Sequence, residues 1–152
     1  MTYKTIIVAV DNDATSEQVC ECAHSLAEAC DATITLIHVI EPLYPVAMPG
    51  AIGVVPVSSG PSDKEHQRQI KESEEQITAL KEKLGARAVD SRVIESAWTR
   101  EAIHELAHEI DANLIVVGSH GRHGLSLFFD RSTARELLKD APCDLLAVRI
   151  DQ

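Results

Sequence analysis

The chain has 152 residues, 45% of them hydrophobic and 25% charged, which is the balance of a soluble globular protein able to bury its own core. Its 24 acidic residues against 14 basic ones leave a formal net charge of −10, and one Trp, two Tyr and two Phe are all that is available for stacking. Extended nucleic-acid binding is excluded on both counts, whereas one small anion held locally by backbone N–H groups is not.

The first expected strand, Thr5 to Val10, is an almost continuous apolar run suited to burial on both faces. The apolar stretch is too short for a signal-peptide core or a membrane span, so a cytoplasmic protein with no membrane partner is expected. Asp11 closes the strand, placed either to bind a ribose hydroxyl or an ion, or to serve as a helix cap. A helix follows from Thr15 to Cys30, with Thr15 and Gln18 spaced as a capping box and Val19, Cys22, Ala23, Leu26, Ala27 and Cys30 on one apolar stripe. The four cysteines, at 20, 22, 30 and 143, show neither a Cys-x-x-Cys pair nor zinc-finger spacing and read as packed thiols in a reducing compartment.

A second strand is expected from Thr33 to Val39, after which residues 41–62 break the alternation with five of the six prolines and three glycines. A loop of this length acts as a lid, contacts a partner or is disordered, and its Val46, Met48, Ile52, Val54 and Val55 suit either of the first two roles. The helix Asp63 to Leu84 carries Ile70, Ile77, Leu80 and Leu84 on a narrow stripe among charges, as a well-solvated outer helix does. Ala88 to Glu95 is a strand of mixed polarity, suited to an edge.

In the third helix, Thr99 to Ile110, the residues Ala102, Ile103, Leu106, Ala107 and Ile110 turn inward. The same helix contains His104-Glu105-Leu106-Ala107-His108, a literal match to the zinc-protease pattern. The two histidines fall on the solvent side of the wheel, and Asp111 and Leu114 stand where the extended motif has Gly and His, so no metal is assigned. Strands from Leu114 to Gly118 and from Leu145 to Ile150, with a helix from Thr133 to Lys139 that Pro142 prevents from continuing, complete the pattern. Strand and helix periods alternating along the whole chain predict one α/β domain, residues 1–152, built of βα units on a parallel sheet.

Between Gly118 and Thr133 the sequence has the composition of an anion site. Gly118, Gly121 and Gly124 bracket Ser119, His120, Arg122 and His123, and Ser132-Thr133 stands at a helix start, with Thr133 and Glu136 spaced as a second capping box. Glycines let an anion approach main-chain N–H groups, and a helix N-terminus offers unpaired donors. His120 and His123 are either exposed turn residues or phosphate contacts. No Gly-x-Ser-x-Gly elbow is present, so no catalytic residue is assigned.

Three segments together resemble the universal stress protein family, of the small single-domain type. They are Ile6-Ile7-Val8-Ala9-Val10-Asp11 with Leu36-Ile37-His38-Val39; Val116-Val117-Gly118-Ser119-His120-Gly121-Arg122; and Ala141-Pro142-Cys143-Asp144-Leu145-Leu146-Ala147-Val148. The resemblance implies an open five-stranded parallel sheet in the order 3-2-1-4-5 with helices on both faces, Rossmann-like and of the adenine nucleotide alpha hydrolase type. It implies a homodimer through Leu145–Ile150 and a stress-response or signalling role; with no catalytic base evident in the sequence, ATP hydrolysis is expected to be slow at most. In one branch it also implies ATP or another adenine nucleotide, with or without Mg. By that matching, Ala9, Asp11 and Val39 line the adenosine end and Gly121, Ser132 and Thr133 face the phosphates, while Gly118, Ser119, His120, Arg122, Gly124 and Arg131 complete the expected nucleotide-binding set. The chain departs from the branch at Arg131, which stands where the motif has its last glycine. Arg131 either closes the phosphate site, leaving a dimeric interaction protein that binds no nucleotide, or substitutes for the glycine by gripping phosphate in a forked geometry.

Overall fold

The computed structural model describes residues 2–11, 14–42, 63–119 and 137–150. The strands are β1 (Thr5–Ala9), β2 (Thr33–Ile40), β3 (Ala88–Glu95), β4 (Leu114–Ser119) and β5 (Asp144–Arg149), and the helices are α1 (Thr15–Cys30), α2 (Asp63–Leu84) and α3 (Thr99–Glu109). All five strands run parallel in the order β3-β2-β1-β4-β5. The expected helix over Thr133–Lys139 lies mostly outside the described residues, of which Leu137 and Leu138 are helical. The 41–62 loop falls outside them from residue 43 onward.

Handedness explains the layering. The chain steps outward from β1 through β2 to β3, then returns to lay β4 on the other side of β1. Right-handed crossovers taken in opposite directions put their helices on opposite faces. Accordingly Val19, Cys20, Ala23 and Ala27 of α1 and Ile77 and Leu84 of α2 pack with Ile6, Val8, Leu36 and Val116. On the other face, Ala102, Ile103, Leu106 and Ala107 of α3, together with Leu137, cover Ile7, Ile37, Ile115 and Val117. Register at the base of the sheet is held by Asn113, whose Oδ1 accepts N–H bonds from Lys4 and Thr5 at 3.0 and 3.1 Å.

Several local expectations are corrected. Helix α1 begins at Thr15, after Ala14, so Thr15 is the first helical residue and not the cap position that the spacing gave it; Gln18 Nε2 donates to the Arg149 carbonyl at the end of β5. Cys22 is exposed, and Cys20 is the buried thiol. Helix α2 lies alongside α1 and covers the Cys20 side with Leu80 and Leu84, rolling the buried arc away from Cys22. Burial, reinforced by Glu17 and Glu21, pushes the Cys20 thiol from an ordinary 9.0 to about 11, which makes it a packing residue and not a nucleophile. On α2, His66 and Ser73 are buried along the same stripe as Ile77 and Leu84, with His66 Nε2 3.3 Å from Glu95 Oε1.

Candidate functional site at the strand ends

The winding reverses between β1 and β4, and open α/β sheets bind ligands at that point, beyond the carboxyl ends of the strands. Here β1 ends at Ala9, and the next two residues continue in line with it. The Val10 N–H donates to the Ile37 carbonyl at 2.9 Å, and His38 Nδ1 lies 2.8 Å from the Val10 carbonyl oxygen. The Ser16 hydroxyl, in the first turn of α1, donates to the Asp11 carbonyl. The Asp11 side chain is 20% exposed, with Oδ1 4.0 Å from His38 Nδ1.

Val10, Asp11 and His38 line a cavity of about 20 Å³ together with Ala9, Val39, Thr99 and Ile103. That volume suits one water molecule. Asp11 also borders a wider groove of about 300 Å³ between α1 and α2, where Glu17 pairs with Lys83. The described part of the site therefore has an apolar wall of Ala9, Val39 and Ile103 and, where it meets the wider groove, a carboxylate that can accept hydrogen bonds from hydroxyl groups.

Of the residues expected to bind nucleotide, the fold brings Ala9, Asp11 and Val39 together at this cavity. Gly118 is placed one strand away on β4, paired in register with Val148 of β5. Its own environment is hydrophobic: a Cβ built there would stand 2.7 Å from Ile150 Cδ1 and 3.1 Å from Val19 Cγ2. Ser119 is the last residue of β4. His120, Gly121, Arg122, Gly124, Arg131, Ser132 and Thr133 lie outside the described residues.

The sequence reading missed His38, Ser16 and Thr99. A histidine inside an otherwise apolar strand run, Leu36-Ile37-His38-Val39, was the available signal for the first. The zinc-protease pattern on α3 has His108 exposed and His104 half-buried, a partial correction to the solvent-facing pair expected. No group of three or more His, Cys, Asp or Glu side chains among the described residues is arranged to hold a metal ion. No helix among them is long and apolar enough to cross a membrane.

Comparison with known proteins agrees with this architecture. The model of the Universal stress protein family matches residues 2–149. Universal stress protein A homolog 2 of Coxiella burnetii is 34% identical over 151 residues, covering 97% of this chain and 96% of that protein. Among solved structures, the universal stress protein UspA from Lactobacillus plantarum superposes with a TM-score of 0.65 at 17% identity, over 98% of this chain and 99% of that one. The universal stress protein from Archaeoglobus fulgidus in complex with dAMP gives 0.59 at 20% identity, over 97% and 99% of the respective chains. With a family model spanning almost every residue and a relative matched nearly end to end, this chain belongs to the universal stress protein family.

Proposed function

We propose that the protein binds an adenine nucleotide at the carboxyl ends of β1, β2 and β4 and works as a homodimeric binding protein in stress response, not as an enzyme. The observation that carries this is the convergence of Ala9, Asp11 and Val39 on one cavity at the point where the winding reverses. Ala9, Val39 and Ile103 offer the base an apolar edge, which must open beyond the present one-water space to receive it, and the Asp11 carboxylate accepts hydrogen bonds from ribose hydroxyls. The phosphates, and Mg if it accompanies them, fall by sequence to the turn from Ser119 to Gly124 and to Arg131-Ser132-Thr133. The dAMP complex of the Archaeoglobus fulgidus relative supports the ligand class. The four free cysteines suit a reducing, cytoplasmic setting.

Calorimetric titration of nucleotide-free protein with ATP and magnesium tests the reading. Binding near micromolar, about 8 kcal/mol, is the expected result and would mean that Arg131 substitutes for the motif glycine. If AMP binds and ATP does not, Arg131 closes only the phosphate end. If neither gives heat or raises the unfolding temperature, the site is closed and the interaction-protein reading replaces this one.

The proposed dimer uses β5. Of the two sheet edges, β3 is guarded by Arg92, which pairs with Asp90 at 3.0 Å and with Glu109 at 2.8 Å. Edge β5 carries its charges, Asp144 and Arg149, only at its two ends and leaves Leu145, Leu146 and Val148 between them half-buried. Light scattering should give twice 16.6 kDa, and Val148→Lys should shift the mass towards the monomer. A wild-type mass of one chain would reject the dimer.

A further inference from the structure

We propose that His38 is a positioning residue of the nucleotide site: its ring holds the Val10–Asp11 peptide and so sets the direction of the Asp11 carboxylate. The inference rests on the nucleotide reading above and deepens it. A carbonyl oxygen can only accept, so the 2.8 Å contact between His38 Nδ1 and the Val10 oxygen requires the proton to sit on Nδ1. The ring is buried, 7% exposed, and so is Val10, at 8%. Losing this donor would leave a buried carbonyl without it at the place where β1 has already ended.

The next carbonyl, that of Asp11, is held separately by the Ser16 hydroxyl. Two consecutive peptide oxygens are thus fixed by side chains from two different elements, β2 and α1. The Asp11 carboxylate oxygen lies 4.0 Å from Nδ1, longer than a hydrogen bond, whereas the Val10 carbonyl at 2.8 Å is within one, so the hydrogen bond His38 makes here is to the backbone. Side chains alternate across a strand, which puts His38 on the Leu36 face while Val39 faces the α3 side. One β2 dipeptide therefore supplies both a wall of the cavity and the support for its carboxylate.

The test compares His38→Leu with His38→Asn by titration with ATP and magnesium. Asn Nδ2 is attached at the same γ position as His Nδ1, so it keeps the donor, whereas Leu fills the space without one. His38→Leu is expected to weaken binding by about tenfold, and His38→Asn to stay within about threefold of wild type. Nitrogen chemical shifts of the wild-type imidazole provide a readout that needs no variant and are expected to report the Nδ1–H form. Equal binding by wild type and His38→Leu overturns the role, as does an Asn variant no better than Leu or an Nε2–H tautomer in the wild type. Wild-type protein that binds no adenine nucleotide is a different failure: it overturns the nucleotide reading, and this role with it.

Discussion

Asp11→Ala is expected to weaken binding of ATP and magnesium by about ten- to a hundredfold while leaving the thermal unfolding temperature nearly unchanged. The magnitude follows from losing hydrogen bonds to a charged acceptor, about 1.5–3 kcal/mol, which is one to two powers of ten in affinity. The side chain lines the cavity, is 20% exposed, and belongs to neither of the two hydrophobic clusters. The peptide that carries it is held by its backbone, through His38 and Ser16, and those bonds remain in the alanine variant. Asp11→Asn, with one acceptor and no charge, should fall between wild type and alanine. Affinity retained within threefold in the alanine variant would mean that the sugar does not lie at the end of β1. A loss of affinity accompanied by a large drop in unfolding temperature would assign Asp11 to the fold and not to the ligand.

At Gly118 the expected effect is on stability, and it should be repaired by a substitution at the other end of the contact. An added Cβ meets Ile150 Cδ1 at 2.7 Å and Val19 Cγ2 at 3.1 Å, both too close to be tolerated without movement. Gly118→Ala should therefore cost about 1–3 kcal/mol in denaturant unfolding, as overpacking does. Ile150→Val removes the offending Cδ1 and alone costs about 0.5–1.5 kcal/mol. The double variant should be more stable than the sum of the two by about 1 kcal/mol, because the clash that Ala creates is the one that Val relieves. It will not be repaired completely, since Val19 still has to give way and belongs to a packed helix. Strict additivity would show that Ile150 is not seated against Gly118. The result matters for function because a glycine required by packing is by itself no sign that phosphate binds nearby.

The sequence placed the elements well, and the reason is local. Apolar runs such as Ile6-Ile7-Val8-Ala9-Val10 and Leu114-Ile115-Val116-Val117 are what strands covered on both faces require, and the i, i+3, i+4 spacing on α3 marks its buried side directly. Described strand and helix limits agree with expectation to within about a residue. The order of the strands was a different kind of knowledge, implied by the resemblance to a family and not by any period. Asp11 was visible because a charged residue ending an apolar run is visible; the sequence reads it equally as cap or ligand, and the fold adds that it lines one cavity with Ala9 and Val39.

What only the tertiary structure decided depends on which other element approaches a residue. Periodicity tells how one helix divides its own surface; it does not say that α2 would lie against α1 and bury Cys20 in place of Cys22. It does not distinguish a glycine needed for phosphate from one needed for the end of a neighbouring side chain, which is the case of Gly118 and Ile150. Nor does it place the donor of His38 on a carbonyl 28 residues earlier in the chain. Each of these is a long-range contact, and the preferences of a segment carry information about burial but none about the partner that provides it.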